Sequence, residues 1–328
     1  MDAKKERTRI ILAADIGGSR ARLLLARAGQ HGWRELCRRE TPSAAHDGIE
    51  PLIADILAET GETPAAACIA VAGPLEHHRV HMNNLPWIVD GEHLAARFSI
   101  SRVRLINDFA AQAHGLACLD GDDTLTLCAG DPDPEGVRAL LGAGTGLGMA
   151  VLAGTPQTPL ILPSQGGLAD FAPRDARELA LCETLLASHG RVSLEMLLSG
   201  HGIERLYRFV SGLPPEAPLA RDTAAITAAA LAGDTLAAEA LRLFARLLAA
   251  AAGNLALTVL PRGGLYLSGG IAPRILPFLR EPAVAETFLA HPSMSAVLAR
   301  IPLHAVRDES LGLKGAARIA SGLARDET

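Results

Sequence analysis

Short apolar runs that end in turn residues mark the first third of the chain. Residues 9–15, RIILAAD, and 21–28, ARLLLARA, lie on either side of a Gly-Gly turn. Apolar runs of this length predict β-strands, and two of them around a short turn predict a hairpin in which glycine supplies unusual backbone angles. Residues 66–73 indicate a buried strand, and the apolar spacing of residues 48–60 predicts a helix.

The same pattern recurs in the middle of the chain. Residues 138–154, RALLGAGTGLGMAVLAG, predict a strand, a glycine turn and a second strand, with glycine at every second position from 142 to 148. A hairpin of this kind near residue 17 and again near residue 144 indicates a weak internal duplication. We therefore expect two lobes of related α/β topology with a cleft between them.

Helical patterns dominate after residue 174, with Ala-rich sequence over residues 223–252 and an amphipathic pattern over residues 311–325. A late apolar strand, residues 263–270, ends in a Gly pair. The most apolar segment, residues 247–260, is interrupted by Gly253 and Asn254 and is too short to span a bilayer. The sequence therefore predicts no membrane association.

Composition excludes several classes of protein. A chain of 328 residues exceeds what one compact core needs, which favours two domains. The net charge of −5 and the 3% aromatic content argue against a nucleic-acid partner. Five widely spaced cysteines without a C-x-x-C pair favour a reducing compartment over a zinc site or a disulfide framework. The short N-terminal apolar run does not fit a signal peptide, so we expect a cytoplasmic protein.

Two glycine turns are candidates for phosphate binding, although neither a P-loop nor a G-x-G-x-x-G pattern is present. In D-I-G-G-S-R, residues 15–20, backbone N–H groups freed by glycine and the Ser19 hydroxyl can bind phosphate, and Asp15 can hold Mg²⁺ through water. In G-A-G-T-G-L-G, residues 142–148, Thr145 offers the hydroxyl. The alternative for each segment is a plain hairpin turn.

Asn107 and Asp108 follow a predicted strand at the edge where α/β proteins bind ligands. Asp108 suits a general base toward a hydroxyl, whereas the alternative is an N-cap, since a helix follows. Residues 82–87, MNNLPW, place amides that suit sugar hydroxyls or a turn. Residues 267–274, LSGGIAPR, allow close approach of an adenine or ribose, or form a helix-entry loop.

These segments together resemble the bacterial glucokinases, members of the actin-like ATPase and sugar kinase superfamily. The resemblance rests on motifs that occur in one order along the chain: DIGGSRARL, AGP, MNNLPW, LINDFAAQAHGL, LGAGTGLGMAVL, GG-x-x-DFAP, LLSGHG, GNLAL and LSGGIAPR. It implies a two-lobed, ribonuclease H-like α/β fold. It also implies ATP and Mg²⁺ in the cleft, transfer of the γ-phosphoryl to the 6-hydroxyl of glucose, and a homodimer.

The resemblance assigns roles residue by residue. It implies that Asp108 is the base, that Asn83 and Asn107 contact the sugar, and that Asp15 positions Mg²⁺ through water. It implies that five residues of the two glycine turns contact phosphate: Gly17, Gly18, Ser19, Gly144 and Thr145. It also implies that Gly269 and Gly270 border the adenosine. It implies a small domain of residues 1–108, completed by a helix at 312–328, and a large domain of residues 109–311.

The chain departs from the family pattern where the sugar is expected. Gln165 and Leu168 occupy places where the family has Glu and His, and a third sugar-binding Glu falls on Ser188. Where the family usually has Thr-Asn after Gly-Gly, this chain has Ser19-Arg20. The two alternatives for Arg20 are that it pairs with phosphate or that it points outward. A site that loses hydrogen-bonding partners for a hydroxyl loses affinity for it. A glucokinase is therefore the leading hypothesis, and a kinase of another sugar or polyol, or a weakly catalytic sugar or nucleotide sensor, are the alternatives.

Overall fold

The computed structural model describes residues 8–30, 32–82, 85–155 and 159–325. The chain divides into two compact units. The first unit comprises Met1–Leu119 and Ser310–Thr328, and the second comprises Asp120–Glu309. Each unit is an α/β assembly built on its own sheet.

A five-stranded sheet in the order β3-β2-β1-β4-β8 forms the centre of the first unit. Its first three strands form an antiparallel meander, and β4 and β8 run parallel to β1. The bounds of the strands are β1 (Arg9–Ile16), β2 (Arg20–Gly29), β3 (Gly32–Pro42), β4 (Ala66–Val71) and β8 (Arg102–Asn107). A separate three-stranded sheet comprises β5 (Leu75–Glu76), β6 (Arg79–His81) and β7 (Ile88–Asp90).

Helices cover both faces of the five-stranded sheet, so the strands are buried on both sides. Successive residues of β1 alternate between the two faces: Leu12 and Ala14 pack in one core, whereas Ile11 and Ala13 pack in the other. The helices are α1 (Ile49–Thr60) and α2 (Gly91–Phe98), which contribute to the first core, and α3 (Asp108–Gly115) and α12 (Leu311–Arg325), which contribute to the second. This double burial explains why the strands are nearly continuous apolar runs.

Glycine allows α3 and α12 to approach closely. A Cβ added at Gly115 would lie 2.2 Å from the Leu311 carbonyl oxygen, and one at Gly315 would lie 1.8 Å from that of Ala111. Because α3 packs tightly on α12, it belongs to the first unit. A domain boundary after residue 108, as expected from the sequence, would separate α3 from the unit in which it packs. The structure divides the chain after Leu119 and before Ser310.

A six-stranded sheet in the order β12-β11-β10-β13-β14-β9 forms the centre of the second unit. Strand β10 pairs antiparallel with β11 and parallel with β13, and β13 runs parallel to β14. The bounds of the strands are β9 (Thr124–Cys128), β10 (Arg138–Ala143), β11 (Leu147–Gly154), β12 (Pro159–Ser164), β13 (Leu265–Ser268) and β14 (Leu303–Val306).

The helices of the second unit pack around one long buried helix, α8. Their bounds are α4 (Ala176–His189), α5 (Leu194–Leu197), α6 (Gly200–Val210), α7 (Thr223–Leu231), α8 (Thr235–Val259), α9 (Leu276–Leu279), α10 (Pro282–Leu289) and α11 (Ser295–Leu298). Helix α8 is long and apolar enough to cross a membrane by length and composition, but 67% of its most apolar window is buried inside the protein. It therefore fits the core helix of this unit.

Two details of this helical region were not predicted from the sequence. Helix α8 continues through Gly253 and Asn254, and a Cβ at Gly253 would lie 3.0 Å from the Phe288 carbonyl oxygen of α10. The Ala-rich stretch forms two helices, α7 and α8. Gly233, at φ 96°, breaks it, and the Asp234 side chain then caps α8 by accepting a hydrogen bond from Ala237 N.

Most of the strands and helices predicted from the apolar pattern are present, including both glycine hairpins. In the two main sheets, the strands that were not predicted from the sequence are β3, β9, β12 and β14, and the three short strands β5, β6 and β7 were not predicted either. Strand β3 carries many charged residues, and the edge strand β9 alternates threonine with leucine. The edge strand β12 is apolar, but prolines flank its short Leu-Ile-Leu run. Strand β14 is only four residues long, too short for a periodic signal.

Candidate active site

The first glycine loop joins β1 to β2 and is closed by its own backbone. Gly17 N donates to the Arg20 carbonyl oxygen at 2.9 Å. Ser43, which is fully buried just after β3, donates from Oγ to the Gly17 carbonyl oxygen at 2.8 Å and from its N to the Ser19 carbonyl oxygen at 3.1 Å. These bonds hold two loop carbonyls, while the Ser19 side chain stays exposed. The sequence analysis missed Ser43, whose only signal is a hydroxyl directly after a strand-ending proline.

The glycines of these two loops do not adopt left-handed backbone angles. The positive-φ glycines among the described residues lie elsewhere in the chain, and they do not include Gly17, Gly18, Gly144 or Gly146. The expectation of unusual angles in both hairpins is therefore wrong. At Gly146 the reason is space, because an added Cβ would lie 2.5 Å from Glu195 Oε2.

Asp15, at the end of β1, is a nearly buried carboxylate. Its side chain is 16% exposed, and its Oδ2 lies 4.0 Å from the Arg22 guanidinium. Burial raises the pKa of Asp15 to about 7; the negative charges of Asp108 and Glu40 act in the same direction, and Arg22 opposes them. A Cβ added at Gly312, in the first turn of α12, would lie 2.6 Å from Asp15 Oδ2, so only glycine leaves room for this carboxylate.

Arg20 is bound within its own unit. Its guanidinium donates to Glu40 on β3, and Glu40 also pairs with Arg22 Nε at 3.3 Å. The hydrogen bond from Arg20 holds the pKa of Glu40 below its usual range. Arg20 therefore belongs to a cross-strand charge network in this structure, an arrangement that neither alternative from the sequence included.

Asn107 and Asp108 divide the two roles expected of them. Asn107 Oδ1 accepts from Phe109 N at 2.9 Å and from Ala110 N at 3.4 Å, so Asn107 is the N-cap of α3. Asp108 is the first residue of the helix, and burial raises its pKa. Its carboxylate also accepts from Phe109 N at 3.0 Å, which opposes that rise. A carboxylate with a raised pKa next to a helix start suits a general base.

The second glycine loop, between β10 and β11, is held by neighbouring segments of its own unit. Gly144 N donates to the Gly146 carbonyl oxygen at 2.8 Å, and the Gly144 carbonyl oxygen accepts from Gly200 N at 2.9 Å. Leu147 N donates to Glu195 Oε2 at 2.9 Å. Thr145 is exposed and makes no hydrogen bond to another protein group within the described residues. Its hydroxyl and amide remain for a ligand.

The Gly269-Gly270 pair lies beside this second loop. Gly269 has φ 86°, and a Cβ there would lie 2.3 Å from the Ala143 carbonyl oxygen, which also accepts from Ile271 N at 3.2 Å. Gly270 has open space around its Cα. A short 3₁₀ turn, Ala272–Ile275, follows. The structure thus brings together Gly144, Thr145, Gly269 and Gly270, which the sequence placed at one nucleotide site.

The loop of residues 165–168 packs on the other flank of the second glycine loop. Gln165 precedes a 3₁₀ turn, Gly166–Leu168, and a Cβ at Gly167 would lie 1.9 Å from the Leu147 carbonyl oxygen. Leu168 is 49% exposed. Leu194 N donates to the Ala169 carbonyl oxygen at 2.9 Å, which brings the start of α5 to this loop.

Glu195 on α5 contacts the second glycine loop, and no contact of Ser188 with this loop is present among the described residues. Ser188 is exposed near the end of α4, whereas the half-buried Glu195 carboxylate binds the second glycine loop directly. The sequence motif LLSGHG begins two residues after Glu195, and this acid was not singled out from the sequence. Asn83 lies outside the described residues.

Comparison with known proteins assigns the chain to a family. The glucokinase family model matches residues 12–323. A glucokinase of Nostoc sp. is 38% identical over 340 residues, covering 96% of this chain and 99% of the relative. The chain belongs to the glucokinase family. A glucokinase of Chromohalobacter salexigens is 37% identical, covering 94% of this chain and 97% of the relative.

Solved glucokinase structures share the fold. Glucokinase from an Antarctic psychrotroph superposes with a TM-score of 0.83 at 33% identity, covering 96% of this chain and 99% of that one. A ROK family glucokinase from Streptomyces griseus, in complex with glucose and AMPPNP, has a TM-score of 0.67 at 19% identity, with 95% and 99% covered. The predicted fold class, the actin-like ATPase type of α/β protein, is confirmed, and the enzyme is a sugar kinase of glucokinase type.

Proposed function

We propose that this glucokinase family member transfers the γ-phosphoryl group of ATP to the 6-hydroxyl of glucose. The observation that carries the proposal is the glucokinase family match, which runs through residues 12–323 and therefore through both units. This match favours glucose over the two alternatives that the altered sugar positions left open. Support from the site comes from Asp108, a carboxylate of raised pKa at the strand edge.

Asp108 acts as the general base. The glucose 6-hydroxyl donates its proton to the Asp108 carboxylate as its oxygen forms a bond to the γ-phosphorus. The bond between that phosphorus and the bridging oxygen breaks, and ADP leaves with the electron pair. Because burial raises the pKa of Asp108, the proton transfer is better matched near neutral pH than with an ordinary carboxylate. Most of the remaining rate enhancement in such transfers comes from positioning and charge neutralisation.

The glycine loops bind the nucleotide. Gly17, Gly18 and Ser19 contact phosphate in the first unit, and Gly144 and Thr145 do so in the second. The Gly17 and Gly144 amides are already used inside their turns, so the donors that remain available include the Gly18 amide and the exposed Ser19 and Thr145. Gly269 and Gly270 border the adenosine, where the open side of Gly270 allows close approach.

Asp15 fits a magnesium ion held through water. Mg²⁺ takes oxygen ligands, keeps several waters and is commonly bound through one or two carboxylates together with phosphate oxygens. Among the described residues there is no group of three or more acidic, His or Cys side chains that would form a closed cage. The Asp15 carboxylate matches such an open site, because a nearby cation stabilises the ionised form that burial disfavours. When bound, Mg²⁺ neutralises charge on the phosphates.

The proposed sugar contacts are Asp108, Asn107 and Gln165. Ser188 is a further proposed contact. Glu195 is a second candidate for the acid expected there, since its carboxylate accepts from Leu147 N and its neighbour Leu194 donates to the Ala169 carbonyl oxygen. Asn83 is a further proposed contact. We also propose a cytoplasmic homodimer, following the family resemblance.

A coupled assay of ADP formation over a panel of hexoses, amino sugars and polyols tests the function. We expect turnover with glucose, and a fall in kcat of about 10²- to 10⁴-fold in Asp108→Ala and Asp108→Asn. Asp55→Ala, which removes an exposed acid on α1, is the control and should keep wild-type turnover.

Turnover of another compound but not glucose would show that Gln165 and Leu168 respecify the site. Nucleotide binding without turnover of any compound would support a sensor instead.

A further inference from the structure

Gly200 is hydrogen-bonded to the second glycine loop through its backbone. It is the first residue of α6, and its N donates to the Gly144 carbonyl oxygen at 2.9 Å. Its own carbonyl oxygen accepts from the Thr223 hydroxyl at 2.7 Å. Thr223, Gly200 and Gly144 are thus joined by two consecutive hydrogen bonds that cross from α7 to the loop.

Thr223 is itself fixed on two sides. It is the first residue of α7, whose N-cap Asp222 accepts from Ala225 N at 2.8 Å. Its backbone N donates to Glu204 Oε1 at 3.2 Å, and its hydroxyl lies 3.1 Å from the same oxygen. A hydroxyl has one proton to donate, and the shorter contact is the one to the Gly200 carbonyl. Glu204 is therefore the acceptor for the backbone and fixes the place from which the hydroxyl reaches Gly200.

We propose that Thr223 is a positioning residue for the second phosphate loop. The inference rests on the proposed function, in which Gly144 and Thr145 contact phosphate. By holding Gly200, Thr223 keeps the Gly144 carbonyl turned toward α6, so that the exposed Thr145 hydroxyl and amide point to the ligand side. Thr223 lies outside every motif that identifies the family in this chain, and it acts through Gly200 rather than by touching the nucleotide.

Three variants separate this role from general stability. Thr223→Val removes the hydroxyl at nearly constant shape, and Thr223→Ser restores it. Thr227→Val is the matched control, because Thr227 lies one turn later on α7 and donates from Oγ1 to the Thr223 carbonyl oxygen at 2.8 Å, away from the loop. The measurements are the Kd of AMPPNP by calorimetry, the KM values for ATP and glucose, and the melting temperature.

We expect Thr223→Val to raise the Kd of AMPPNP and the KM for ATP by about 3- to 10-fold, the range of one lost hydrogen bond. The KM for glucose should not change, and Thr223→Ser should return the nucleotide values to those of the wild type. Thr227→Val should lower the melting temperature at least as much as Thr223→Val while leaving nucleotide affinity unchanged.

Unchanged AMPPNP affinity in Thr223→Val, or an equal loss in Thr227→Val, would overturn the proposal. If the wild type fails to phosphorylate glucose but Thr223→Val still weakens AMPPNP binding selectively, the proposed substrate is wrong and the positioning role stands.

Discussion

The two glycine hairpins of this protein have similar sequences and different surroundings. The first, residues 15–20, lies among charged groups: Asp15 with a pKa raised to about 7, Arg22, and the Arg20–Glu40 pair. The second, residues 142–148, lies among backbone and carboxylate hydrogen bonds from α5 and α6. The first loop is therefore surrounded by charged side chains and fixed by hydrogen bonds. The second is fixed by hydrogen bonds and close packing, and its own residues carry little charge.

The loops share one device. In each, a hydrogen bond from a segment outside the motif fixes a loop carbonyl, Ser43 at the first and Gly200 at the second. A phosphate loop binds through its N–H and hydroxyl donors, so its carbonyls must be turned away from the ligand. The comparison indicates that motif residues supply the donors, and that the residues which orient them come from elsewhere in the chain.

The largest expected effect that distinguishes the loops is the pH dependence that Asp15 gives the first unit. A carboxyl whose pKa is raised on folding stabilises the protein below its unfolded pKa, and this contribution is lost as pH rises through about 7. Without nucleotide and Mg²⁺, the free energy of unfolding should therefore fall between about pH 4 and pH 8. Asp15→Asn should remove much of that fall, up to about 4 kcal/mol, as measured by urea unfolding at several pH values.

Asp90→Asn is the control for this experiment, because Asp90 caps α2 and its backbone hydrogen bonds lower its pKa. It should leave the slope between pH 5 and 8 as in the wild type. An unchanged slope in Asp15→Asn would contradict the electrostatic account of the first loop.

Gly269→Ala should disturb the second loop by shape alone. The added methyl group would meet the Ala143 carbonyl oxygen at 2.3 Å, and the backbone has φ 86° there. We expect a loss of about 3 kcal/mol in the free energy of unfolding, with no new pH dependence. Gly270→Ala, where the space is open, should cost much less. Equal melting temperatures of the two variants would show that the close contact is not needed.

Ser43→Ala should weaken the first loop without touching its charges. The half-buried Gly17 carbonyl loses its side-chain donor, which we expect to cost about 1–3 kcal/mol in stability and to raise the KM for ATP several-fold. Ser321→Ala is the matched control in the same unit, since this buried serine donates to the Ala317 carbonyl oxygen of α12. A rise in the KM for ATP in both variants would point to general destabilisation.

The smallest effect should come from Arg20→Asn. Arg20 is half-exposed and bound to Glu40, and exposed ion pairs contribute about 0–1 kcal/mol to stability. We expect a KM for ATP within about twofold of the wild type, with a weak dependence on salt. A tenfold loss of ATP affinity in steady-state kinetics would show instead that Arg20 leaves Glu40 to contact phosphate.

Local patterns in the sequence were enough to predict both hairpins and the strand-to-helix junction at Asn107 and Asp108. A hairpin or a strand followed by an N-capped helix is encoded by neighbouring residues through periodicity, turn chemistry and capping. Contacts between distant segments are not encoded in this way, and the role of Ser188, inferred from spacing in a motif, stays a prediction. The acid that binds the second loop is Glu195, whose contact with Leu147 depends on packing between segments far apart in the chain.

The sequence by itself determined the family, the two glycine loops and Asp108. Only the tertiary structure decided that Asn107 caps α3 and that Arg20 is paired with Glu40. It also decided which residues from outside the loops lie against them: Ser43, Glu195, Gly200 and Gly312. The physical reason is that a motif records which donors and acids are present. Their orientation, pKa and free hydrogen-bonding capacity are set by burial and by partners that are distant in sequence.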